Sequence, residues 1–191
     1  FPYKHLDSTK SEIRIINLRP GVAPSPVECT LEHVPMAHKS RKTYRALSYT
    51  WGPLEPTKLL SLDGIQIEVR DNLWQALCHL RQPDTDLRLW VDALCINQED
   101  IPERNEQVSR MGTLYNQAEE VLVWLGPEKD DSDAAVSAIK CSVVPSSRLL
   151  SVDVPSPSGS ISSIEIRSVY DLLHREYWRR VWIIQEVFKA R

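Results

Sequence analysis

The stretch from Leu89 to Gly126, LWVDALCINQEDIPERNEQVSRMGTLYNQAEEVLVWLG, restricts the fold more than any other part of the chain. It runs from a buried apolar strand into a polar loop of acids and amides, then an amphipathic helix, then a second apolar strand. Strand, helix and returning strand make one unit of a parallel sheet, and such sheets bind ligands in the crevice at the carboxyl ends of their strands. Within the unit Leu87, Leu89 and Val91 lead into Asp92, and Pro102 stands where a first helical turn tolerates proline. Val108, Met111, Tyr115 and Ala118 then form an inward stripe. VLVWL, from Val121 to Leu125, is apolar throughout and reads as an interior strand rather than an edge.

The flanking segments extend the sheet. EIRIINL, Glu12 to Leu18, has the β-branched content of a strand and is stopped by Pro20-Gly21, while VECTLEHV offers another strand. In YRALSYTWG (44–52), Ala46, Leu47 and Tyr49 make a strand, and Trp51-Gly52-Pro53 turns the chain out of the sheet. LLSLDGIQIEV (59–69) is two alternating runs around Asp63-Gly64, a strong two-residue hairpin signal. Asp71 is placed to cap a helix whose Leu73, Ala76, Leu77 and Leu80 share a face, and Pro83 ends it.

After Gly126 the texture changes. EKDDSDAAVSAIK supports one short helix capped at Ser132, and Pro145 to Ser163 then holds eight serines and three prolines. That composition reads as an inserted loop, either disordered or a weak hairpin carried by Leu149-Leu150 and Ile164–Ile166. Helical spacing resumes at Val169. Val181, Ile184 and Phe188 fall on one face of a last helix, and Trp178, Trp182 and Glu186 recur every four residues on another. The expectation is one α/β domain over 1–191, with a mainly parallel central sheet flanked by helices, β additions at its N-terminal end, core blocks at 44–126 and 169–189, and an insertion at 127–165.

Composition bounds the partners. With 42% hydrophobic and 26% charged residues among 191, the chain can build an ordinary globular core. A net charge of -3 lacks the basic footprint that nucleic acids or anionic membranes select. No apolar run approaches the roughly 20 residues of a membrane span, and FPYKHLDSTK lacks the apolar centre of a signal peptide. A cytoplasmic chain is expected. Its four cysteines form no C-x-x-C pair and its histidines are not spaced to complete a metal site, so neither a metal nor a disulfide framework is expected. The P-loop, G-x-G-x-x-G, G-x-S-x-G and H-E-x-x-H patterns are missing as well. These absences disfavour a nucleotide triphosphatase, a Rossmann dehydrogenase, an α/β serine hydrolase and a zincin.

What remains is four polar-aromatic blocks in order: YRALSYTWG (44–52), LWVDALCINQED (89–100), ERNEQVSRMGTLY (103–115) followed by VLVWLG, and REYWRRVWIIQEV (175–187). Together they closely resemble the HET domain, the heterokaryon-incompatibility module of filamentous fungi. The resemblance implies a role in non-self recognition that ends in regulated cell death. It also implies upstream sensor or accessory domains, and the chain's end just after the last block points to an excised domain.

The HET module in turn is similar to the TIR domain, a flavodoxin-like α/β fold that in many lineages cleaves NAD at the nicotinamide–ribose bond. Val91-Asp92 resembles the end of its acid-tipped strand and Val121 to Leu125 its apolar strand. Trp182-Ile183-Ile184-Gln185-Glu186 keeps the Trp-to-Glu spacing of a motif whose glutamate is catalytic, with Ile183 in place of the family's cysteine. The resemblance thus implies catalysis by Glu186, substrate contacts from Asp92, Tyr49, Trp51, Asn97, Trp182 and Arg179, NAD as substrate with no further cofactor, and a homo-oligomer as the active form. One carboxylate suffices chemically, because nicotinamide leaves as a neutral molecule from an already cationic nucleotide and needs no general acid.

Each residue also has a structural reading. Glu186 can be solvated or paired with Lys or Arg, and Asp92 and Asn97 can cap the following helix. Trp51, Trp178 and Trp182 can be core or interface residues, and Arg104, Arg179 and Arg180 surface ion pairs rather than phosphate grips. Cys95 reads as a small buried hydrophobe. Two other functions stand beside the NAD hydrolase: a non-enzymatic signalling module that assembles with itself or partners, and a nucleotide-binding sensor without turnover.

Overall fold

Apolar runs in the first 126 residues become seven strands: β1 (Glu12–Leu18), β2 (Glu28–Pro35), β3 (Arg45–Tyr49), β4 (Thr57–Leu62), β5 (Ile65–Arg70), β6 (Leu87–Trp90) and β7 (Val121–Trp124). They form one sheet in the order β5-β4-β2-β1-β6-β3-β7. The computed structural model describes residues 1–36, 44–142, 163–183 and 186. The chain divides into two compact units, Phe1–Gly126 with Arg180–Arg191, and Pro127–Arg179. The whole sheet lies in the first.

The architecture is α/β as expected, but the sheet is mixed rather than mainly parallel. β1 runs antiparallel to both β2 and β6, and β4 antiparallel to β5. Parallel pairing is confined to β3 with β6, β3 with β7, and a short contact of β2 with β4. The reason for the first antiparallel pair is connection length: the chain from Arg19 to Val27 is too short for the crossover of a dozen or more residues that a parallel return needs. Asp63-Gly64 forms the expected hairpin turn, with φ of 49° and 79° at its two residues.

β7 is an edge strand, which corrects its reading as an interior one. It pairs with β3, and among the described residues no strand lies on its other side. An apolar run says nothing about hydrogen-bonding neighbours, and here its residues are only partly covered, with Val123 exposed. Part of that cover is α1 (Asp71–Leu80), since the Trp124 Nε1–H donates to Asn72 Oδ1 at 2.9 Å and the Trp124 ring lies 4.9 Å from that of His79. Leu73, Ala76 and Leu77 form the buried face of α1, as their spacing predicts. Asp71 is its first helical residue rather than its cap.

β6 ends in the short helix α2 (Asp92–Cys95), and α3 (Ile101–Gln117) follows. Asp100 caps α3 by accepting from the Glu103 backbone N–H at 3.0 Å, satisfying one of the donors a helix start leaves open. Met111, Leu114 and Tyr115 are buried, and the Tyr115 hydroxyl donates to the Leu47 carbonyl of β3, which locks α3 onto the sheet. Cys29, Cys78 and Cys95 are free thiols.

In the second unit α4 (Ser132–Ser142) packs against α5 (Ser163–Leu173). Ile164–Ile166 belong to α5, which removes the hairpin reading there, while Pro145 to Ser162 lies outside the described residues. The expected single last helix is broken: a 3-10 turn occupies Glu176–Arg179, Trp182 sits in a turn, and Val181 is 79% exposed. Trp178 Nε1–H takes an acceptor that a continuing helix would use, the Leu172 carbonyl, and the buried Arg175 side chain turns to the carbonyls of Pro127 and Lys129. Ile184 and Phe188 lie outside the described residues. No helix among the described residues is long and apolar enough to cross a membrane.

The edge position of β7 changes what its tryptophan contributes. Trp124→Ala removes one hydrogen bond and a half-buried ring, so we expect a folded protein destabilised by about 1–3 kcal/mol in urea unfolding. A protein that no longer folds would contradict the edge assignment.

Candidate functional site

Because β3 runs parallel to β6 with Ala46 opposite Trp90, Ser48, still within β3, and Asp92, two residues past the end of β6, come to the same edge of the sheet. Around this edge a cluster of charge is buried. Glu186, fully buried, is held by Arg180, whose two terminal nitrogens donate to its two carboxylate oxygens at 2.8 and 3.0 Å. Ser48 Oγ–H donates to the same carboxylate from β3. Such a forked guanidinium–carboxylate contact fixes both partners in orientation as well as distance.

Asp92 is the second carboxylate of the cluster. Trp51 Nε1–H donates to its Oδ2 at 2.8 Å and the Ala93 backbone N–H to its Oδ1 at 2.7 Å. Burial raises the Asp92 carboxyl above its ordinary 3.8; the negative charge of Glu186 adds to this, and those two donors and Arg180 oppose it. Tyr49 is buried beside it, and burial together with the charge of Asp92 and a hydrogen bond to it pushes the phenol well up, so Tyr49 stays protonated. The arrangement joins two carboxylates to one guanidinium, with indole, phenol and hydroxyl donors around them.

Next to the cluster opens a cleft of about 280 Å³, lined among others by Tyr3, Tyr49, Trp51, Arg70, Leu73, Leu94 and Asn97. The Arg70 guanidinium lies 5.0 Å from the Trp51 ring centroid and donates to the Gly52 carbonyl, which steadies the Trp51 turn. A second buried ion pair supports the cleft from within the fold. Arg14 of β1 donates to both Glu103 oxygens at 2.6 and 2.9 Å, and to the carbonyls of Lys4 and Cys95. No group of three or more His, Cys, Asp or Glu among the described residues is arranged to hold a metal ion.

The residues singled out from the sequence fall into three groups. Tyr49, Trp51 and Asn97 line the cleft, and Asp92 and Glu186 interact electrostatically. Glu186 itself is closed off by Arg180 and Ser48 and is not among the cleft's lining residues. Trp182 is 47% exposed and meets Glu186 only through a backbone bond, from the Glu186 N–H to the Trp182 carbonyl. Arg179 stands in the second unit, exposed, with its guanidinium 3.3 Å from Glu176. Arg104 donates to the Gln98 carbonyl.

Sequence reasoning missed Ser48, Arg14 and Glu103, and chose Arg179 over its neighbour Arg180 for the cluster. Ser48 had a signal, being a hydroxyl between Leu47 and Tyr49 in a strand, and so did Arg14, a charge between two isoleucines of another; the pairing of Arg14 with Glu103 had none, because 89 positions separate the two.

Compared with known proteins, residues 44–186 match the family described as heterokaryon incompatibility protein (HET). Over 148 residues the chain is 33% identical to heterokaryon incompatibility protein 6, OR allele, of Neurospora crassa, which covers 70% of this chain and 22% of that protein. The chain thus spans only about a fifth of that relative's length. No solved structure matches it.

The electrostatics of the cluster can be read directly. In a carbon-13 carboxyl titration Asp92 should show a midpoint above 3.8. Glu186→Gln, which removes a negative neighbour, should lower that midpoint, and Arg180→Gln, which removes a positive one, should raise it. Since the folded value exceeds the unfolded one, this group favours folding most below about pH 4, and its contribution fades as pH rises through the folded midpoint.

Proposed function

The chain belongs to the heterokaryon incompatibility family, and from that membership we propose that it is an effector module of fungal non-self recognition whose output is regulated cell death. We further propose that it acts by hydrolysing NAD to nicotinamide and an ADP-ribose product, on a TIR-like arrangement of its parallel strands. The observation that carries this reading is the meeting of Glu186 with Ser48 and Asp92 at the ends of two parallel strands, beside an aromatic cleft.

The chemistry asks little of the protein beyond electrostatics. The ribose–nitrogen bond breaks with its electron pair passing to the pyridinium, which leaves as neutral nicotinamide. Water adds to the ribose carbon and loses a proton. Positive charge develops on the ribose in between, and a carboxylate in a partly dry site stabilises it best. Glu186 is that carboxylate. Its two oxygens are occupied by Arg180 and Ser48, so substrate has to displace one of these contacts. The diphosphate of NAD is a suitable competitor for the guanidinium, since forked binding serves phosphate as well as carboxylate. Trp51, which is only partly buried at the cleft, offers a ring to a heteroaromatic base.

A second reading draws on one observation. Full burial of Glu186 and its complete pairing are what a structural ion pair would show, and this favours a non-enzymatic module that signals by assembling with itself.

Incubation with NAD, with and without forced oligomerisation, separates the two. Nicotinamide release followed by chromatography is expected from the parent chain and should fall at least a hundredfold in Glu186→Gln. That variant leaves Arg180 without its charged partner, so near-ultraviolet circular dichroism has to show it folded at the assay temperature. No release from either form of the parent chain, with cell killing intact in folded Glu186→Gln, would leave the assembly reading in possession.

A further inference from the structure

One wall of the aromatic cleft comes from outside the family match. The matched segment begins at Tyr44, whereas Tyr3 lies 41 positions earlier in the chain and still lines the cleft with Tyr49, Trp51 and Asn97. We propose that this cleft is a subsite for the flat heteroaromatic base of a mononucleotide unit, with Tyr3 as a stacking wall and the buried Arg14–Glu103 pair as the device that positions it. The inference deepens the nucleotide chemistry proposed above and rests on it.

Size is the first argument. Pockets for drug-sized ligands run from about 300 to 1,000 Å³, so a cleft of about 280 Å³ fits one base with its sugar and not an entire dinucleotide. Lining chemistry is the second. Four aromatic residues line the cleft, Phe1, Tyr3, Tyr49 and Trp51, of which Tyr49 is buried, so stacking falls to the others, and Asn97, whose Oδ1 accepts from the Glu99 N–H, has its amide NH2 to offer a ring nitrogen or carbonyl.

The third argument is how the wall is held. A terminal arm frays unless it is tied down, and this one is tied three times. The Tyr3 hydroxyl donates to the Leu94 carbonyl at 3.0 Å, and the Arg14 guanidinium lies 4.9 Å from the Tyr3 ring centroid. Burial pushes the Tyr3 phenol up to about 12, so it remains a donor at any ordinary pH. Arg14 also donates to the Lys4 carbonyl, while Glu103 accepts from the Asn97 backbone N–H at 2.7 Å. One buried pair therefore sets both the arm that carries Tyr3 and the loop that carries Asn97. A preorganised wall avoids the ordering cost that a loose arm would incur on binding.

Titration calorimetry on the full 191-residue chain tests this, with adenosine 5′-monophosphate in one arm and nicotinamide mononucleotide in the other. At least one should bind saturably, and which one does identifies the half of the dinucleotide that the cleft takes. Tyr3→Ala should weaken that binding about tenfold through lost stacking, and Tyr3→Phe, which keeps the ring but loses the hydroxyl tie to Leu94, should restore part of it. Glu103→Gln, checked as folded by circular dichroism, should weaken it as well. Binding by neither mononucleotide, or binding unchanged in Tyr3→Ala, would overturn the proposal. NAD hydrolysis with a KM indifferent to Tyr3→Ala would sink the subsite and leave the catalytic reading standing. Tyr3-dependent binding without any hydrolysis would do the reverse.

Discussion

The parallel pairing of β3 with both β6 and β7 is the constraint from which the candidate site follows. Backbone ladders set register without regard to side-chain chemistry, and register here ends β6 opposite Ala46, so that the chain after it passes the later residues of β3. Ser48 and Tyr49 on one strand and Asp92 after the other are thereby delivered to one edge. α3 is clamped beneath them through Tyr115 and the Leu47 carbonyl, and through the Tyr44 hydroxyl and the Leu114 carbonyl. The polar residues at this edge are held by hydrogen bonds whose geometry the sheet has already decided.

Two guanidinium–carboxylate pairs are buried in this framework, Arg14 with Glu103 and Arg180 with Glu186. Taking charges out of water costs several kcal/mol per ion, and the mutual attraction inside only about offsets that. Such pairs add little stability over apolar residues of the same size. What they do here is join distant parts of the chain: Glu103 ties β1 to the loop after α2, and Glu186 reaches Ser48 across 138 positions. Their directional bonds leave few alternative arrangements for those segments.

Periodicity made much of this legible. The Asp63-Gly64 hairpin, the buried face of α1 and the strand that ends before Asp92 are local patterns that appear in the structure, and the stripe of α3 appears in part, with Met111 and Tyr115 buried but Val108 half-buried and Glu103 and Gln107 inside instead. The order of polar-aromatic blocks was enough to place the chain in its family. Pairing partners were not legible, because nothing in EIRIINL states that it will run antiparallel to β6. An apolar run such as VLVWL cannot reveal that it has a neighbour on one side only. Adjacent arginines are equally silent: Arg179 pairs with Glu176 and Arg180 with Glu186, and only the break in the helical path around them decides which goes where.

β1 lies in the middle of the sheet, between β2 and β6, and its Ile13, Ile15, Ile16 and Leu18 are wholly buried. The segment by which the family is recognised begins after it. The sheet therefore extends beyond the segment that matches the family. A fragment trimmed to residues 44–186 would bare the hydrogen-bonding edge of β6 and the apolar surface that β1 covers, which is a template for aggregation.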